Sequence, residues 1–287
     1  MDQVTEPRAS YGGEWTIEKL KILERYLDAY TTALKDQLFK LVYIDAFAGS
    51  GSVELRVKYN LDPEAKGFLA GSVQRALQVK DKPFDKMIFV EKDAGECEKL
   101  KQLCGDYPDR DTEVVNKDAN DFLRNDLELD WNKWRGVLFL DPFATEVEWS
   151  TIKKIATFNA LDTWILFPVS AIARMLKNVT RLEDIPDSLA RRLTSIYGDY
   201  SWQGLYHESP QLHMFGDNVW ERDPGVDGLL KIYKQKLRNL LGPRLLEESR
   251  SLRNSKNAIL FEFMFCVGNE RGIKPAKRIA GHILNNM

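Results

Sequence analysis

Cysteine and histidine are both scarce, with three of each in 287 residues: Cys97, Cys104 and Cys266, and His207, His213 and His282. They form no C-x-x-C pair and no Cys/His cluster, which argues against a disulfide framework and a structural zinc site and suits a reducing cytoplasm. Long apolar runs are also missing. The best, Thr163–Ala173 and Ala258–Val267, are about half the length of a membrane span. Met1–Ser10 is polar and lacks the apolar core of a signal peptide. The expectation is a cytoplasmic chain that meets no membrane. Charge of one sign is lacking too: 41 basic residues face 43 acidic ones, for a net charge of −2. Such a chain does not coat nucleic acid by charge alone, so any such contact needs a local patch.

What is present is ordinary globular composition, 44% hydrophobic and 29% charged, with no repeat and no low-complexity segment. Trp15–Leu38 carries Leu20, Leu23, Leu27, Tyr30 and Leu34 at spacings of three and four. This is the stripe of an amphipathic helix, with Thr16 placed as its N-cap. Short apolar segments follow at Leu41–Phe47, Lys86–Val90, Glu113–Val115, Val137–Leu140 and Thr163–Phe167. Each leads into polar punctuation and a helical pattern, the rhythm of a parallel sheet covered on both faces. The end of the chain breaks that rhythm. Pro243–Arg253 and Ala258–Val267 flank a polar turn at Asn254–Asn257 and read as an antiparallel hairpin. Between strand five and that hairpin, Ser170–Gly242 is too long for a connection and has a mostly helical pattern. The whole reads as α/β, with a mostly parallel sheet closed by a C-terminal antiparallel hairpin and carrying a helical insert.

The first strand runs into Asp45-Ala46-Phe47-Ala48-Gly49-Ser50-Gly51. Glycines there allow close backbone approach to a ligand, with open peptide groups facing it, and Asp45 suits a ligand bearing an ammonium group. The third glycine of the dinucleotide fingerprint is absent, since Glu54 occupies its place. That and Asp141-Pro142-Phe143 disfavour a nicotinamide dehydrogenase. Strand two ends in Glu91, a carboxylate placed to hold both hydroxyls of a ribose, after an extended Ser52–Gly67 loop. Asp118 follows strand three and could accept from an adenine amino group. Helix capping is the alternative for both Glu91 and Asp118. Strand four ends in Asp141-Pro142-Phe143-Ala144. The Asp141 carboxylate and Pro142 carbonyl can accept the two protons of an exocyclic amine, and Phe143 can stack on the ring that bears it. No cysteine follows a proline, so methylation of cytosine carbon 5 through a cysteine nucleophile finds no candidate.

Together, Asp45–Gly51, Phe89-Val90-Glu91 and Phe139–Phe143 resemble class I S-adenosylmethionine-dependent methyltransferases, with their Rossmann-like sheet. Lys19–Tyr30, Gly71-Ser72, Val147-Glu148-Trp149, Leu161–Pro168 with Arg174-Met175-Leu176, and Phe261–Ile279 are similar to the three-Cys-motif partner (TcmP) family. The cysteines that name that family belong to its partner, which resembles radical-S-adenosylmethionine enzymes; Cys97, Cys104 and Cys266 are unrelated to them. The resemblance implies that S-adenosylmethionine is the cofactor and a three-Cys-motif protein a partner. Asp45, Phe47, Gly49, Gly51, Glu91 and Asp118 would bind the cofactor. Asp141, Pro142 and Phe143 would serve catalysis, and Arg174 would hold an anionic substrate group. The chain would divide into an N-terminal helical extension (1–40), a methyltransferase core (41–169), a helical insert (170–242) and the closing hairpin (243–287). The activity expected is methylation of an exocyclic amine of a nucleic-acid base. The alternative is a cofactor-binding, non-catalytic accessory subunit of the three-Cys-motif protein.

Substrate signals are thinner. Between Lys231 and Lys256 eight basic residues (Lys231, Lys234, Lys236, Arg238, Arg244, Arg250, Arg253, Lys256) face only Glu247 and Glu248; Arg271, Lys274, Lys277 and Arg278 follow. They read as a phosphate-backbone track for RNA or DNA, or equally as a solvated helix face. Trp202, Tyr206, Trp220 and Tyr233 read as packing before they read as base-stacking platforms.

Overall fold

A computed structural model describes residues 14–53, 69–79, 81–176, 182–212, 218–222 and 226–287. The first helix, α1 (Glu14–Leu34), buries Leu20, Leu23, Leu27 and Tyr30 along the expected stripe. It ends before Leu38, which is fully exposed. Thr16 is not its N-cap. It lies within the helix on that same stripe and is 2% exposed, since the helix already includes Glu14 and Trp15.

Five parallel strands follow: β1 (Lys40–Asp45), β2 (Lys86–Glu91), β3 (Thr112–Asn116), β4 (Trp134–Leu140) and β5 (Leu161–Phe167). The last two sheet strands are β6 (Arg250–Arg253) and β7 (Ile259–Cys266). The order across the sheet is β3-β2-β1-β4-β5-β7-β6, with β7 antiparallel to both β5 and β6. This is the Rossmann-like sheet of class I methyltransferases, as the motifs imply. Its order reverses beside β1, so the carboxyl ends of β1, β2 and β4 border one crevice, where ligands of such sheets bind.

Each face of the sheet carries a core. On one, Leu41, Tyr43, Met87, Phe89, Val137, Phe139, Trp164, Phe263 and Phe265 pack with α1, α2 (Ser72–Leu77), α3 (Ala94–Gly105) and α8 (Ile273–Asn285). On the other, Val42, Ile44, Ile88, Leu138, Ile165 and Met264 pack with α4 (Trp149–Phe158) and the segment between β5 and β6. At the start of β5, buried Asp162 joins three parts of the first core. It accepts the Tyr26 hydroxyl at 2.6 Å and the Gly268 N–H at 2.7 Å.

The segment 170–242 is not purely helical. Among the described residues, helices α5 (Val169–Met175), α6 (Asp187–Tyr197) and α7 (Asp227–Leu241) alternate with two 3-10 turns and an antiparallel pair of strands, Tyr206–Leu212 with Asn218–Arg222. Pro210 conceals that pair in the sequence: proline gives no ladder N–H, and the strand register shifts between Glu208 and Leu212. Trp202, Tyr206 and Tyr233 are buried, so they pack; the Trp220 side chain lies outside what is described. The strand expected over Pro243–Arg253 shrinks to β6. Gly242–Arg244 makes a 3-10 turn instead, and Leu245 and Leu246 reach β7 through a bridge and one hydrogen bond.

Cys97, Cys104 and Cys266 are buried and unpaired. Burial pushes the Cys266 thiol up to about 12 and raises the other two as well, which suits packing and not nucleophilic attack. Among the described residues no helix is long and apolar enough to cross a membrane, and no His/Cys/Asp/Glu group could hold a metal ion.

Candidate functional site

The loop after β1 is built from its own hydrogen bonds. Ala46 N–H donates to the Phe139 carbonyl and Ala48 N–H to that of Val90, tying the loop to β4 and β2. Phe47 N–H donates to Asp45 Oδ1 at 3.2 Å, Gly49 N–H to Glu91 Oε2 at 3.0 Å, and Gly51 N–H to the Ala48 carbonyl. These amides are therefore spent on the chain, contrary to the open peptide groups expected from sequence. The glycines act by conformation. Gly49 (φ 57°) and Gly51 (φ 77°) take left-handed backbone, and a Cβ on Gly49 would meet nothing within 4 Å, which leaves room above it.

Asp45 is fully buried beneath this loop. Its Oδ2 accepts the Ser72 hydroxyl at 2.5 Å and the Tyr43 hydroxyl at 3.3 Å. Burial lifts its carboxyl to about 7 against the pull of the Ser72 hydrogen bond, and the nearby Asp141 carboxylate adds to the rise. Asp45 and Asp141 thus face the same end of the sheet.

Glu91 stands at the tip of β2, in register with Asn116 of β3. One oxygen takes Gly49 N–H and the other takes Asp93 N–H at 2.7 Å. A carboxylate oxygen can accept twice, so each keeps capacity for a ligand hydroxyl. Asp118 caps the turn that follows, its Oδ1 accepting the N–H groups of Asn120 and Asp121. Glu91 and the space over Gly49 fit the sugar portion of S-adenosylmethionine, whereas Asp45, buried and bonded within the chain, does not present its carboxylate to the ammonium group expected from sequence.

On the other side of β1, β4 delivers Asp141, Pro142 and Phe143. Pro142 is buried, while Phe143 is 69% exposed at the rim. Sequence reasoning missed two residues that set this loop. Lys19 of α1 is 5% exposed, sits over the Trp15 and Phe139 rings, and donates to Asp141 Oδ2 at 2.5 Å. Its signal was a lysine on the apolar stripe of a helix, where an ammonium is tolerated only with a counter-charge. Asn120 is 5% exposed and clamps the loop to the Asp118 turn. Its amide donates to the Glu146 carbonyl at 2.9 Å and accepts from Glu148 N–H and the Thr151 hydroxyl. Glu146 itself takes Phe143 N–H and pairs with Lys92 at the end of β2.

Arg174 lies exposed on α5, beyond β5 and on a different strand end from Asp141. Much of the basic segment is neutralised by acids distant in sequence. Lys234 pairs with buried Glu262, Lys236 with Asp199, Arg250 with Glu18, and Arg238 with the nearer Glu247. Arg244 donates to carbonyls at Ala156 and Gly268. Three acids from outside the segment therefore lower the local excess counted along the sequence.

No family model matches the chain, and neither does any curated protein. Among solved structures, a protein from Legionella pneumophila str. Philadelphia 1 is 17% identical over 80% of this chain and 93% of its own, with a TM-score of 0.43. A S-adenosylmethionine-dependent methyltransferase from Clostridium acetobutylicum is 10% identical over 86% of this chain and 92% of its own, at 0.37. The N-terminal domain of EvdMO1, crystallised in the presence of SAH and D-fucose, is 9% identical over 85% and 82%, at 0.35. The strand order, and not these likenesses, defines the fold.

Proposed function

We propose that this chain is an S-adenosylmethionine-dependent methyltransferase whose acceptor is an exocyclic amine of a nucleic-acid base. The observation that carries the reading is the partly open carboxylate of Asp141, on the strand beside the Gly49–Gly51 loop, with the Phe143 ring standing free at the rim. S-adenosylmethionine, when bound, would supply the electrophilic methyl for the acceptor nitrogen, with its sulfur as the leaving group. Glu91 holds the ribose hydroxyls, Phe47 and the glycines shape the space beside it, and Asp118 closes the adenine end. Asp45 supports the loop from below. Asp141 Oδ1 and the Pro142 carbonyl accept the amine's two N–H groups, which turns its lone pair toward the methyl. The proton shed by nitrogen passes to Asp141 and on to solvent. Phe143 stacks on the base, and Arg174 takes a phosphate of the same strand.

Glu91→Ala should weaken cofactor binding by about 1–3 kcal/mol through loss of charge-assisted hydrogen bonds. Unchanged affinity in calorimetry would move the ribose contact elsewhere. The activity itself is tested by incubating total tRNA, rRNA and DNA with a labelled methyl donor, with and without the three-Cys-motif protein that this reading expects as partner. Label on a base amine supports transfer. Tight cofactor binding with no label in any pool, under either condition, replaces transfer with the accessory role.

A further inference from the structure

The acceptor side of the crevice holds a feature that a lone carboxylate would not need. Lys19 reaches Asp141 from α1, and the two charged atoms stand 2.5 Å apart with the lysine side chain 7% exposed and that of Asp141 22% exposed. Trp15 and Phe139 flank the ammonium at 5.3 and 6.0 Å from their ring centroids. Trp15 in turn packs on Phe261 of β7 at 4.9 Å, so the lysine is fixed by aromatic contacts on two elements. An ammonium has three N–H donors. Among the described residues only Asp141 takes one in a hydrogen bond. The nearly buried ammonium and the partly exposed carboxylate thus stand side by side, a donor next to an acceptor, the pairing that an Asn or Gln amide uses to read an adenine edge. The pair carries no net charge. A positively charged alkylamine would meet the Lys19 ammonium in a partly desolvated site, where like charges repel strongly.

We infer that Lys19 and Asp141 act as one reader of a flat amidine-like edge. The acceptor amine donates to Asp141 Oδ1 while the ring nitrogen next to it accepts from Lys19 Nζ. Lys19 is then a specificity-determining residue. The substrate class is a neutral aminopurine or aminopyrimidine, and alkylamines of peptides are rejected. This rests on the methyltransferase reading above and deepens it.

The test uses the full chain with S-adenosylhomocysteine bound, and calorimetric affinity for short single strands carrying one adenine, cytosine or guanine. Each strand is compared with its counterpart lacking the ring nitrogen beside the amine: 1-deaza- or 7-deazaadenine, 3-deazacytosine or 3-deazaguanine. The wild-type protein should prefer at least one parent strand by about tenfold. Lys19→Met, which keeps the apolar stem, should bind parent and deaza strands alike. If that variant does not fold, the wild-type comparison alone decides. Equal affinity of wild type for every parent and deaza pair, no binding of any strand, or tighter binding of a lysine-rich peptide overturns the inference. Cofactor binding and methyl transfer are scored separately, so these results leave the methyltransferase reading standing. Absence of cofactor binding brings down both.

Discussion

Asp141→Asn is expected to lower methyl transfer by about 10²–10³-fold or more, the loss typical of removing one preorganised electrostatic partner of a reacting group. Asparagine keeps the shape of aspartate, and its amide oxygen can still accept from Lys19. Its NH₂ then faces the incoming amine, donor against donor, and the negative charge that would meet a nitrogen gaining a methyl is gone. Cofactor affinity should stay within a few-fold, because Glu91, Gly49 and Asp118 lie on the far side of β1 and share no hydrogen bond with Asp141. Single-turnover rates at saturating cofactor, set beside calorimetric binding, separate the two quantities. An equal loss in both would contradict the assigned role.

Acidity should stabilise this fold, the reverse of common expectation. Burial raises the Asp45 carboxyl from 3.8 to about 7 and that of Asp162 from 3.8 to about 6. The native protein keeps these protons to higher pH than the unfolded chain does. Between about pH 4 and 7 it therefore binds more protons than the unfolded state, and stability falls as pH rises. The contribution lost is on the order of 4 kcal/mol for Asp45 and on the order of 3 kcal/mol for Asp162. Asp162→Asn isolates one share, since an amide can still accept the Gly268 N–H and meet the Tyr26 hydroxyl. Urea unfolding at pH 4.5 and pH 8 should show a drop that is smaller in Asp162→Asn than in wild type by about 2 kcal/mol, the part of the shift that lies above pH 4.5. Identical drops in the two proteins would mean that Asp162 titrates normally.

The sheet was legible because its strands are short apolar runs with polar stops, and because a hairpin breaks the βα rhythm at the end of the chain. Strand tips could be named for the same reason: Asp45, Glu91 and Asp141 each follow the last apolar residue of a run. What stayed hidden joins distant parts of the chain. Lys19 and Asp141 are 122 residues apart, and Arg250 and Glu18 are 232 apart. No periodicity reports such a pair, although a lysine on an apolar stripe asks for one. The net charge of the basic segment was hidden for a related reason, since a count along the chain omits the carboxylates of Glu18, Asp199 and Glu262 that fold onto it. Asn120 lay between two expected site segments and looked like ordinary turn polarity. Its full set of partners exists only once the loop after β4 folds across to the turn after β3.

The two borders of the sheet also decide how the molecule can meet its own kind. β6 is only four residues long, and its arginines are occupied with Glu18 and the Asn257 carbonyl. At the opposite border β3 carries Glu113, paired with Lys86, and Asn116, whose amide is turned back onto the carbonyls of Glu91 and Lys92. Neither margin offers a long bare ladder on which a stray strand could continue the sheet. Fibre-like growth by strand addition is thereby discouraged at both ends, and association with other chains is left to side-chain surfaces.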